Sequence, residues 1–162
     1  MRFYQRCLTV LVLLCCALAP VGGCAIRRVA TAAELDQLGT RKYTNHGRDE
    51  LIKATVTALR IQGYEVITTD PRIRTAPKDV ATTALGNAHA AQSYTEAVAW
   101  DIDVEGDASS ATLHAVPRAT LNGQPMEEVY YEWAERTFRE LLHEIDQNLS
   151  SKSAARATGA RG

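Results

Sequence analysis

Cysteine is the first scarcity in this chain. Three of its four cysteines, Cys7, Cys15 and Cys16, sit in one apolar stretch near the N-terminus, and only Cys24 follows. Once that stretch is removed, no internal disulfide can form, so stability must come from a hydrophobic core. Aromatic residues are few, with two Trp and two Phe, which makes Trp100 and Trp133 the natural anchors of that core. No block of like charge stands out. Without Arg2 and Arg6 the chain holds 16 basic against 19 acidic residues, which leaves no electrostatic footprint for nucleic acid. Catalytic signatures are missing too: there is no G-x-S-x-G and no phosphate-binding Gly-rich loop. His143-Glu144 opens like H-E-x-x-H, but Gln147 stands where the second histidine belongs, and His46, His89 and His114 have no metal-ligand spacing. These absences argue against an enzyme, a resident metal or a cofactor.

What is present begins with an export segment. Arg2 and Arg6 precede an apolar run from Cys7 to Ala19, and Pro20-Val21-Gly22-Gly23 brings small residues up to Cys24. Val21-Gly22-Gly23-Cys24 resembles a bacterial lipobox. The resemblance covers about the first 25 residues and implies that residues 1–23 are a lipoprotein signal peptide and that Cys24 carries the lipid. Two other readings stand beside it. Ala17-Leu18-Ala19 fits an ordinary signal peptidase site, and residues 7–26 are long enough for an uncleaved span, though Arg27-Arg28 opposes that orientation. Two or more acyl chains would hold the protein firmly on a membrane. Ala25 lacks the aspartate that retains related lipoproteins in an inner membrane, so the resemblance implies an outer-membrane location facing the periplasm.

Residues 24–44 read as a tether, with one helical turn near Ala32 to Leu38. Residues 45–149 read as a single domain. Thr44 or Asn45 offers an N-cap for a helix from Asp49 to Gln62 whose apolar face is Ile52, Val56 and Leu59, and Gly63 sits at its C′ position. The pattern then turns to strands: Tyr64 to Thr69 and Arg72 to Thr75 around Asp70-Pro71, and Glu96 to Glu105 returning through Ala111 to Arg118. Residues 79–93 show no clear period and read as a loop. Pro117 lacks a ladder donor and belongs at an edge or a strand end. After Asn122-Gly123-Gln124, Pro125 suits the first turn of a long helix striped by Met126, Val129, Tyr130, Trp133, Thr137, Leu141, Ile145 and Leu149. Residues 150–162 are too polar to pack and read as a disordered tail.

The order αββββα with short hairpins predicts an α+β two-layer sandwich, an antiparallel sheet of about four strands with two helices on one face. The helix ending at Gly63, the strand Ile73 to Pro77 and the terminal amphipathic helix resemble helix-grip-type domains of envelope and β-barrel-assembly lipoproteins, over about residues 45–149. That resemblance implies a scaffold or adaptor role and transfers no functional residue.

Charge is uneven: residues 25–80 carry a net +3 and residues 94–149 a net −9. The halves are suited to attract each other, or the acidic one to steer a basic partner. Within one meander, Arg72 and Arg74 project on the face that carries Asp101, Asp103 and Glu105, forming either solvated cross-strand pairs or a partner-binding face. Asp101 to Gly106 also opens like a calcium loop, but Thr112 stands at its twelfth position and the alternation with Ile102 and Val104 is that of a strand. The function expected is a non-catalytic, lipid-anchored envelope adaptor for another envelope protein. The alternative is a periplasmic-facing carrier of a small apolar ligand.

Overall fold

The computed structural model describes residues 28–85 and 92–159. Cys24 and the signal segment lie outside them. Helix α1 spans Ala32–Gly39, β1 Thr40–Thr44, α2 Arg48–Ile61, β2 Val66–Thr68, β3 Ile73–Thr75, β4 Lys78–Leu85, β5 Gln92–Gly106, β6 Ser110–Leu121, β7 Gln124–Pro125 and α3 Tyr131–Gly159. All strand pairings are antiparallel, in the order β1-β6-β5-β3-β2, with β4 on β5 and β7 on β6. The α+β class and antiparallel sheet agree with the sequence reading. Among the described residues, seven strands and three helices exceed the four and two expected.

The core lies between helices and sheet. Trp100, Ile102 and Val104 of β5 alternate inward with Ala111, Leu113 and Ala115 of β6, against Leu51, Ala58 and Leu59 of α2 and Ala134, Phe138, Leu141 and Ile145 of α3. Trp100 and Phe138 meet edge to face, with ring centroids 5.5 Å apart. Trp133 is only half-buried against this core, so Phe138 takes the position expected of it. On α2 the fully buried residues are Leu51, Ala54, Thr55, Ala58 and Leu59, while Ile52 and Val56 stand at the margin.

Local chemistry explains several boundaries. Gly63 has φ +80°, its N–H donates to the Arg60 carbonyl and the Tyr64 N–H to the Leu59 carbonyl, a Schellman stop for α2. The N-cap of α2 is Gly47, not Thr44, which belongs to β1, or Asn45. Asn122 and Gly123, at φ 50° and 78°, form the two-residue turn between β6 and β7. Pro125 therefore ends a strand, and α3 starts six residues later.

Pro117 lies inside β6 but at a local edge. The Trp100 N–H points away from β6 to the Thr75 hydroxyl, so Trp100–Pro117 is a non-hydrogen-bonded pair and the Pro117 nitrogen faces the other way. On that side β1 has ended opposite His114 and β7 begins opposite Thr120, so no ladder bond is lost.

Within the described residues, parts of three segments expected to be irregular are helix or strand. Part of the supposed tether, from Arg28, forms a bridge at Val29–Tyr130, then α1 and β1. Residues 79–93 are mostly the ends of the β4–β5 hairpin; residues 86–91 lie outside the described ones. Ser150–Gly159 continue α3 instead of forming a disordered tail.

Tyr43, buried on β1, links that strand to α3. Burial first, and then the Asp146 carboxylate, push its phenol above the usual value of 10, while the Arg41 guanidinium, bonded to Asp146 at 2.9 Å, opposes the shift. A raised folded-state value stabilises the neutral form, so the contribution of Tyr43 is complete below pH 10 and is lost as pH rises further. Melting followed from neutral to alkaline pH should show stability falling above about pH 10, with a shallower fall in Tyr43→Phe. Equal slopes would contradict this burial.

Candidate functional site: the helix-free sheet face

Strand alternation decides which side chains reach the face away from the helices. Ile73 and Thr75 of β3 point to the core, so Arg72 and Arg74 point outward. On β5 the inward Trp100, Ile102 and Val104 leave Asp101, Asp103 and Glu105 outward. On β6 the same rule turns Thr112, His114 and Val116 out.

Register then brings the charges together. Arg74 stands opposite Asp101 and donates from Nε to Oδ1 at 2.9 Å. Arg118, two residues along the face from Val116, contacts the other Asp101 oxygen at 3.4 Å. Arg72 Nε donates to Asp103 Oδ2 at 3.0 Å. His114, opposite Asp103, shares a 3.0 Å hydrogen bond between Nδ1 and the Thr40 hydroxyl. Arg72, Asp101, Asp103, Glu105, His114 and Val116 line a shallow depression of about 290 Å³. Val116 is 56% exposed in the middle of this charged array.

All five residues expected on this face from the sequence, Arg72, Arg74, Asp101, Asp103 and Glu105, share it. His114, Val116 and Arg118 join them. Val116 and His114 were visible in the alternation of β6. Arg118 needed the register as well, since once Glu105 pairs with Thr112, counting along the hairpin sets Arg118 opposite Ala99 and beside Asp101. The turn that sets this register is held by Asp107, whose Oδ1 accepts from the N–H of Ser109 and Ser110 and from the Ser109 hydroxyl. Those bonds, the Ser109 N–H first, keep its carboxyl below the usual carboxylate range.

The charges of the face pair with one another and do not converge on a single point. Asp101, Asp103 and Glu105 are spaced two residues apart along an extended strand, about 7 Å per step, so their oxygens do not converge as in a calcium loop, and arginines occupy two of them. Among the described residues no group of three His, Cys, Asp or Glu is arranged to hold a metal. His143 contacts Gln147 at 2.8 Å on the exposed side of α3. A larger open depression, about 720 Å³, lies beside the N-terminus of α2, but there Arg48 serves as a strut, with Nε donating to the Val104 carbonyl.

Ion pairs also join the two halves of the chain: Arg72, Arg74 and Arg41 come from the basic half, Asp103, Asp101 and Asp146 from the acidic one. No protein-family model and no curated protein matches this chain.

Proposed function

We propose that this chain is a non-catalytic cell-envelope lipoprotein, held on the periplasmic side of an outer membrane through lipid on Cys24, that binds another envelope protein through the helix-free face of its sheet. The observation that carries the binding reading is the array of Arg72, Arg74 and Arg118 with Asp101 and Asp103 around exposed Val116. Arginine beside a small apolar patch is typical of protein interfaces. Pairing within the face neutralises each charge before docking, which reduces the penalty of taking it out of water.

The anchor rests on the lipobox-like residues. Among the described residues no helix is long and apolar enough to cross a membrane. A carrier of an apolar ligand draws less support, because Trp100, Phe138, Leu51, Leu59, Ile73, Leu113 and Leu141 fill the layer between helices and sheet.

Asp101→Ala with Asp103→Ala tests the face. Exposed pairs contribute about 0.2–1 kcal/mol each, so the melting temperature should barely move. Cross-linking in native membranes should recover a partner with the wild type and lose it with the double variant. Equal recovery at equal stability would remove the face from the proposal. An N-terminal peptide mass lacking acyl groups on Cys24 would remove the anchor.

A further inference from the structure

The path of the chain between Cys24 and the folded domain is too short for a tether. The Tyr131 N–H donates to the Arg28 carbonyl and the Ala30 N–H to the Val129 carbonyl, both at 2.8 Å, around the Val29–Tyr130 bridge. The Arg28 guanidinium lies 4.2 Å above the Tyr131 ring and also pairs with Glu34. Glu34 in turn closes a capping box with Thr31 at the start of α1. From Arg28 onward the backbone is therefore fastened to the start of α3. Three residues, and so four Cα–Cα steps, separate Cys24 from Arg28, and whatever path they take they reach at most about 14 Å. Lipid on Cys24 must enter the hydrocarbon, and the headgroup layer alone takes about 5–8 Å on each side.

We propose that the domain rests directly on the bilayer surface, with the end formed by Val29, Tyr130 and Tyr131 facing the lipid headgroups and the Gly106–Ser110 turn directed away. This rests on the lipid-anchor reading of Cys24. The two ends are well separated. Met126 N–H donates to the Ala119 carbonyl, so the segment leading to α3 leaves from the C-terminal end of β6. The Gly106–Ser110 turn lies at the other end of that 12-residue strand, roughly 30 Å from Ala119.

The chemistry of the near end suits a headgroup layer. Val29 is 39% exposed, and two tyrosines and Arg28 surround it; tyrosine and arginine both place an apolar body beside a polar tip. Glu127, Glu128 and Glu132 are exposed in the same stretch, so electrostatic attraction to anionic lipid is not what holds this end down. The short chain does, and salt should not release it. A partner that reaches the Arg72–Asp103 face must then come within one domain length of the membrane.

Two labelled variants test the orientation. With Cys24 blocked by lipid, Gln124→Cys at the near end and Ala108→Cys at the far turn each supply the single reactive thiol of the mature chain. Each protein is purified from the membrane fraction, labelled with a fluorophore and reconstituted into phosphatidylcholine vesicles bearing a nitroxide on the lipid headgroup. Quenching should be several-fold stronger for Gln124→Cys than for Ala108→Cys, at low and high salt alike. A long Gly-Ser insertion after Ala25 should abolish the difference. Equal or reversed quenching with Cys24 shown by mass to be acylated would overturn the orientation and leave the anchor standing. A mass without acyl groups would overturn both.

Discussion

Phe138→Ala is expected to cost about 3–5 kcal/mol of unfolding free energy, the loss typical of a large aromatic removed from a closed core. Phe138 is 1% exposed and packs edge to face on Trp100, itself 1% exposed, at the centre of the helix–sheet layer. The cavity left behind has few ways to collapse, because the facing positions belong to the central strands β5 and β6. Trp133→Ala, although it deletes a larger side chain, should cost less, about 1–2 kcal/mol, since Trp133 is only partly buried and sits at the core margin. Urea unfolding of both variants, compared at unchanged slope, measures the ranking. A greater loss for Trp133→Ala would mean that α3 is rotated relative to the sheet.

Gly39→Ala should also destabilise, by about 2–3 kcal/mol, against what helix propensity alone predicts. Alanine is favoured over glycine in a helix by about 1 kcal/mol, and Gly39 is the last residue of α1. A Cβ at that position, however, would collide with the backbone carbonyl oxygen of Ala115 and come within 2.9 Å of Phe138 Cε1. The obstruction is mostly the backbone of a central strand, which cannot move aside as a flexible side chain can. Denaturation of Gly39→Ala in parallel with Ala33→Gly, on the exposed side of the same helix, separates the two effects. A neutral or stabilised Gly39→Ala would show that α1 does not approach β6 so closely.

These two sites mark where sequence reading stops. The apolar stripe of the last helix is broad enough to include both Trp133–Thr137 and the adjacent Ala134–Phe138, about 100° apart on the helix. Both satisfy a helical period from Leu141 onward. Only the seating of α3 over Trp100 and Gly39 selects the second. The start of that helix lies at Tyr131 and not at Pro125 for a different reason. Pro125 fits a first helical turn, yet Asn122-Gly123 just before it is the stronger signal, a two-residue hairpin turn, and Pro125 is tolerated as the end of an edge strand. Residues 28–44 and 78–85 carry little period of their own. They become ordered because β6 and β5 offer them free edges and the start of α3 offers them a bridge.

The candidate face was more legible. Period-two alternation in β5 forces Asp101, Asp103 and Glu105 to one side whatever the sheet does with the other, and a short hairpin around Asp70-Pro71 keeps Arg72 and Arg74 near enough to reach them. Neighbouring residues and backbone geometry suffice for such features, as they do for the Gly63 stop and the existence of a long amphipathic helix. The sequence by itself therefore determined the α+β class, the central strands and the two long helices, the inward and outward faces of those strands and five of the charged residues that share the open face. Tertiary structure alone decided that Phe138 fills the core, that Arg118 completes the face, and that the chain is fastened from Arg28 onward. Each of those depends on register or on contact between segments far apart in the chain, and strand edges and helix faces accept several partners until packing chooses one.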